Sequence, residues 1–521
     1  MKNIPKKIAM LLLGCWLIVG SCTKELDQTN PNSVTAENFW STAGDAEKGV
    51  NSIYAMYYKK GGYARWIYFL YDLRSDEGTS ESPWLELQNW QKFILINYNF
   101  EISWTTWQDH YRGISRCNQV LENVPDIVMD EPLKQRYLAE AKFMRALWYY
   151  NLTTLYGNIP LTLQVENAES RPATASQAEV WAQIEADLRD AANVLPETYG
   201  NADLGRPTKG AANAMQGKAL MQQRKWSEAA AALQWLTEGA GRSNYQLVTD
   251  FSDNFKHTTE FNSESVFEIN FNDANIGPFP DEEDSPAQNL GNTRSQFFGP
   301  GGGLPGFGDG EMRRWVPREF LEDQTVDGQR DPRLAATCLY DSTDERGGDF
   351  TMAYGQVWNQ VFAPDNSRRN RVFYRKYQND YYRNFENFFS PINHRLIRYA
   401  DVLLMYAECL NQMGRTADAY QYVDQVRQRA GLPTLTAAKP GMTQGQFQEQ
   451  IEHERVTELT GESWRWSDLA RWGYFDDLNK VAELRPHDPD FNNFDNLKYK
   501  FLPIPKDEVD RNPNVRQNPG Y

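Results

Sequence analysis

The chain has 521 residues, 54 Lys and Arg against 70 Asp and Glu, and a net charge of −16. That length holds a sizeable core, and so acidic a chain without a basic stripe argues against nucleic acid and against electrostatic docking on anionic lipid. Five cysteines without a C-x-x-C pair exclude a disulfide framework and a structural zinc ribbon, and aromatic residues make up 13% of the chain.

Taken in chain order, Lys2, Lys6 and Lys7 precede a short apolar run, 8–19, and small residues then lead to Cys22. A dozen helical residues at about 1.5 Å each fall short of a ~30 Å hydrocarbon core, so this reads as an export signal and not a membrane span. The ending resembles a bacterial lipobox, with Val19 in place of the usual leucine. The resemblance implies cleavage after residue 21 and acylation of Cys22, so that a lipid anchor supplies the membrane attachment. Residues 22–36 are polar, hold Pro31 and read as a tether, and 37–521 reads as one domain.

Helical periodicity follows at 44–58 and 106–124, and a broad apolar stripe at 131–156 ends at Gly157 and Pro160. Two segments share one design. In 209–239 the small residues Ala211, Ala214, Gly217 and Ala219 lead through a turn at Arg224-Lys225 to Trp226, Ala229 and Leu233. In 396–430, Leu403, Tyr406 and Ala407 precede Gly414, and Ala419, Tyr422 and Val426 follow. With 131–156 plus 175–196, and 446–472, about four helix pairs of tetratricopeptide-like character are predicted. The fold class is therefore mainly α: a helical-repeat scaffold with large irregular insertions near 60–105 and 243–395 and a few short strands such as 265–270. Insertions of that length imply a task.

The catalytic inventory is thin. The histidines His110, His257, His394, His453 and His487 form no H-x-x-x-H pair, and no G-x-S-x-G elbow occurs. The run 301–306 matches G-x-G-x-x-G by letter, but Pro305 and the flanking Gly299-Pro300 suit a loop better than a nucleotide site. Asp281, Glu282, Glu283 and Asp284 read as a solvated loop first and a calcium site second, and no other cofactor is indicated. The positive signal is aromatic. Tyr63, Trp66, Tyr68, Tyr71, Trp84 and Trp90 lie among Arg74, Asp76, Glu77 and Asn89, while Phe297, Phe298, Phe307 and Trp315 surround the glycine-rich loop. A sugar ring has a C–H face and a hydroxyl rim, so it suits an aromatic platform with polar groups at its edge. Trp104 and Trp107, beside a helix start, are expected in the core, as is Cys409.

Several stretches together resemble the SusD/RagB-like outer-membrane lipoproteins. They are 451–459 (Ile-Glu-His-Glu-Arg-Val-Thr-Glu-Leu) with Glu462, Trp464, Arg465, Asp468 and Arg471-Trp472-Gly473, the 398–408 run that begins Arg-Tyr-Ala-Asp, and the 140–147 run. The tail adds Phe501-Leu502-Pro503-Ile504-Pro505, Asn512-Pro513 and the ending Asn518-Pro519-Gly520-Tyr521. The resemblance implies a cell-surface lipoprotein that binds oligosaccharide or polysaccharide without catalysis and acts as a lid on a TonB-dependent outer-membrane barrel. Some members capture peptides instead, and a secreted glycoside hydrolase is the alternative of a different class. It also implies binding loops around residues 74–90 and 297–315, on which the ligand contacts are assigned to Arg74, Asp76, Trp84, Trp90, Phe298 and Trp315.

Overall fold

The computed structural model describes residues 39–95, 97–167, 169–274, 290–342, 352–495 and 497–521. The signal, the tether with Cys22 and the acidic run 281–284 lie outside these residues. Among the described residues, no helix is long and apolar enough to cross a membrane.

Ten helices make the scaffold: α1 (Ala43–Tyr54), α2 (Glu101–Asn123), α3 (Glu131–Tyr156), α4 (Gln177–Val194), α5 (Lys209–Gln222), α6 (Trp226–Thr237), α7 (Tyr399–Gln412), α8 (Thr416–Arg429), α9 (Gln444–Leu459) and α10 (Arg465–Arg471). Their ends follow from local chemistry. Asp130 caps α3, which stops where Gly157 takes φ +76°. Ser176 with Glu179, and Thr443 with Gln446, form reciprocal capping boxes that satisfy the first N–H groups of α4 and α9. Consecutive helices pack in series from α2 to α8, with α9 against α7. Small residues permit close helix approaches, at Gly217 as read from the sequence and at Gly113 besides. A Cβ on Gly217 would stand 2.6 Å from Leu233 of α6, and one on Gly113 would stand 2.7 Å from the Trp148 indole of α3. The fourth expected pair departs from the pattern: α10 packs on α5 and on the short helix Trp66–Asp72.

The long insertions are built partly on the main core and partly on small cores of their own. Tyr63, Trp66, Tyr68, Phe69 and Phe298 join the main core, whereas Leu339, Trp358, Phe362 and Phe373 form a separate one. Short antiparallel ladders tie the pieces: Gly78–Thr79 pairs with Glu311–Met312, so the two insertions share a sheet, and Ser265–Ile269 pairs with His394–Arg398 across the base of the larger one.

Ion pairs fasten that base to the scaffold. Arg398 donates to Glu458 (2.8 Å), to both oxygens of Glu462 (2.8 and 2.7 Å) and to Glu264 (2.5 Å). Arg429 and Arg333 also reach Glu458, at 2.5 and 3.1 Å, and all these side chains are buried. A second lattice links Arg455 to Asp468 and Asp401, and Asp401 to Lys218. The cations hold Glu458 below the usual carboxylate range and Asp401 at about 2, although burial alone would raise both. Carboxylates depressed in the folded state stabilise it above their unfolded pKa and lose that contribution as pH falls. Resistance to urea should therefore fall progressively below about pH 4. Arg398→Met, which takes one shared cation from three buried carboxylates, should cost about 3–5 kcal/mol at pH 7. An unchanged urea midpoint in that variant would refute the network's role.

Candidate ligand-binding face

Of the six residues assigned to ligand contact, four are interior. Arg74 donates to the Tyr499 carbonyl (2.6 Å) and lies over the Trp466 ring at 4.1 Å. Asp76 accepts two 2.8 Å hydrogen bonds from Arg465 and faces His487 Nδ1 at 3.0 Å. Trp90 packs on Phe100, and Phe298 sits between Phe69 and Tyr374. None of the four has surface to offer a ligand: exposures run from 0 to 3%. Aromatic residues in a Gly- and Asn-rich insertion have to build that insertion's own interior before any can face water. Trp84 and Trp315 are half-buried. Trp84 stands on Trp66 and Phe100, and Trp315 stacks on His487 at 4.0 Å while its Nε1–H donates to the Asp76 carbonyl (2.7 Å). The structure thus joins Arg74 to Trp90, and Asp76 to Trp315, as supports.

The exposed aromatic surface lies beside them. Phe307 is 45% exposed, and its ring lies 5.4 Å from Phe297 and 5.9 Å from Phe388. Arg65 spreads its guanidinium over Trp66 (3.8 Å) and Phe297 (4.3 Å). Asp309, hydrogen-bonded with Ser82, lies in the field of Arg65 and Arg368. Burial raises its pKa and the two arginines oppose that rise. In the 381–388 stretch, which brings Phe388 to this face, Tyr381, Tyr382 and Phe385 are also exposed, the two tyrosines beside His257. Sequence reasoning singled out Phe307 within its loop but passed over Arg65 and the aromatics of 381–388. The same compositional signal, aromatics among Asn residues, marks 381–388.

The glycine-rich run shapes this face. Gly301, Gly302, Gly306 and Gly308 all take positive φ, and Gly301 N–H bonds to the Pro305 carbonyl. A Cβ on Gly308 would stand 2.4 Å from Arg368 Nη1, which donates to the Pro300 carbonyl at 2.5 Å. The glycines let the loop close around an arginine side chain. On the scaffold side, Glu319, Glu322 and His453, and Asp323, His453 and Glu454, have metal-ligand proximity. There His453 already bridges Glu319 and Asp323, and Arg427 holds Asp323 through both oxygens, so the carboxylates are compensated from within the chain.

The family described as the SusD family matches residues 299–521, and that described as "starch-binding associating with outer membrane" matches 25–220. The chain belongs to the SusD/RagB-like family. A SusD-like protein of Formosa agariphila is 28% identical over 99% of this chain and 100% of its own length. A SusD superfamily protein from Bacteroides vulgatus superposes with a TM-score of 0.79 at 27% identity, covering 93% of this chain and 100% of that one. A laminarin-binding SusD-like protein does so with a TM-score of 0.74 at 27% identity, over 92% and 100%. The mainly helical SusD-like architecture expected from the sequence is the one found.

Beneath the face, burial pushes Glu77 up to about 8, with Asp76 and Asp72 adding to the rise against Arg465 and Thr460. A carboxylate raised on folding stabilises most below its unfolded pKa and loses that contribution as pH climbs through its folded value. Glu77→Gln removes this loss. Its melting temperature relative to the parent should rise between pH 5 and pH 8, by about 2–4 °C per kcal/mol recovered. A difference that stays flat across that range would show that Glu77 is ionised without penalty.

Proposed function

We propose that this SusD-like protein captures oligosaccharide or polysaccharide chains at the cell surface, without catalysis, and delivers them to a TonB-dependent outer-membrane transporter. The observation that carries the reading is the exposed Phe307–Phe388 face over Phe297, edged by Arg65, Asp309, Ser82 and Trp84. A pyranose C–H face stacks on such rings while hydroxyls bond the Arg–Asp edge, and no proton transfer is required. Trp84 and Trp315 serve at the margin. Arg74, Asp76, Trp90 and Phe298 act from below by fixing the loops.

Attachment to the outer membrane runs through acylated Cys22, in keeping with the family's association with that membrane. A lipid-anchored binder without a span of its own cannot carry cargo inward, so it works over a channel. The tether keeps the body close to that channel at high local concentration.

Affinity electrophoresis against soluble polysaccharides tests the binding. Phe307→Ala, at an exposed position, should bind about five- to tenfold more weakly, roughly 1 kcal/mol, with an unchanged melting temperature. Retardation equal to the parent's on every polysaccharide would overturn the assignment. New reducing ends on incubation would favour a hydrolase, and retention of peptides alone would favour the peptide-capturing reading. Mild detergent extraction should co-purify a large outer-membrane barrel with the protein, through more than the ~1,600 Å² of a standard interface. Recovery of the lipoprotein alone would count against delivery.

A further inference from the structure

One cavity lies apart from the Phe307 face and shares no lining residue with it. It opens between α2, the 160–172 connection and the short C-terminal helix Lys506–Arg511, with a volume of about 820 Å³. Trp104, Gln108, Tyr111 and Ser115 follow one another at helical spacing and line it from α2. Trp107, buried at the base, lies 4.8 Å from the Tyr111 ring, and Tyr111 is fixed by donating to the Pro160 carbonyl at 2.8 Å. The expectation that Trp104 and Trp107 are both core holds for Trp107. Trp104 is half-buried and lines the cleft.

Two features make this more than a crevice. Gln108 Oε1 is buried and accepts no hydrogen bond, an arrangement that costs free energy until a donor arrives. Glu166 and Glu508 line the same cavity, and burial, with the field of Glu508 adding to it, raises the Glu166 carboxyl above its ordinary value. Arg112, Arg171 and Arg511 line the cavity as well, so acceptors and guanidinium donors share one aromatic wall, which favours a ligand with several hydroxyls and one apolar face. An aliphatic side chain would leave Gln108 unsatisfied. The volume falls within the few hundred to ~1,000 Å³ typical of small-ligand sites.

We propose that this cleft is a second sugar-binding subsite that holds another stretch of the same polysaccharide chain. Trp104 is its platform, and Gln108, Glu166 and Glu508 accept the sugar hydroxyls. The inference rests on the glycan-capture reading and extends it. The two sites are linked through buried Phe100: Trp84, at the edge of the first, packs on its ring at 5.3 Å, and its carbonyl accepts the Trp104 N–H at 3.2 Å. A long chain engaging both gains from effective concentration, whereas a short one occupies a single site.

The test compares the parent with Trp104→Ala, Gln108→Leu and Phe307→Ala on laminarin, starch, xylan, pectin and carrageenan, and on trisaccharides cut from whichever polymer binds. The two cleft variants should lose at least tenfold in affinity for the polymer and keep the parent's trisaccharide affinity at the Phe307 face. Phe307→Ala should lose both. Gln108→Leu removes no packing volume, so it carries the test if Trp104→Ala fails to fold. Polymer affinity equal to the parent's in the folded cleft variants would overturn the second subsite and leave the first standing. A parent that binds no member of the panel would overturn the capture reading, and the subsite with it.

Discussion

Glu458, buried near the end of α9, collects arginines from three parts of the chain: Arg333 from inside the larger insertion, Arg398 from its exit strand and Arg429 from α8. Glu264, at the insertion's entry strand, shares Arg398 and Arg429 with it. One charge cluster thus clamps the entry, the exit and an interior point of an insertion of about 150 residues onto one helix. Such a cluster adds little net stability over apolar packing, because each ion has lost its water. Its consequence is positional: any register other than the native one strands charges in the interior. The insertion's first and last strands can pair in only one way, and everything borne on it inherits that placement.

Secured at its base, the insertion can spend most of its aromatic residues on itself. Phe298, Trp358 and Phe373 are fully buried, and Phe251, Phe255, Tyr377 and Ile392 form a small core of their own beside the Arg398 cluster. The ladder between Gly78–Thr79 and Glu311–Met312 and the Trp315–Asp76 hydrogen bond then bring the smaller insertion into line. Only after these demands are met do Phe307, Phe388 and Phe385 remain to meet water.

That ordering explains what could be read in advance. The helices were legible because a 3.6-residue period records which face is buried, and the small residues at Gly217 and Ala214 record how closely the next helix comes. The insertions have no period. Phe297, Phe298 and Phe307 are alike in composition, yet one lies just under the surface, one is fully buried and one is exposed, and only the fold around Arg368 separates them. Composition marks the loops as aromatic-rich but cannot tell which of their side chains are buried. Arg65 went unnoticed because a single arginine carries no pattern until Trp66 and Phe297 are seen beneath it. The packing of α10 escapes a local period for a related reason: it meets α5, a partner far away in sequence.

The stretches that carry the family resemblance also acquire a physical meaning. Arg398, Asp401 and Glu408 come from one of them, and Arg455, Glu458, Glu462, Asp468 and Arg471 from another. In the structure they are one another's partners: Arg398 with Glu458 and Glu462, Arg455 with Asp401 and Asp468, Arg471 with Glu408 and Asp468. Arg465 reaches out of the scaffold to Asp76 in the smaller insertion. Residues committed to these buried pairs have no valence left for a ligand, so the resemblance fixes the frame and is silent on the cargo. Under the capture reading proposed above, choice of cargo falls to side chains outside the lattice, on loops whose ends it holds still. Phe307, Phe388, Arg65 and Asp309 meet that description, and substitutions among them leave every charge in the clamp paired.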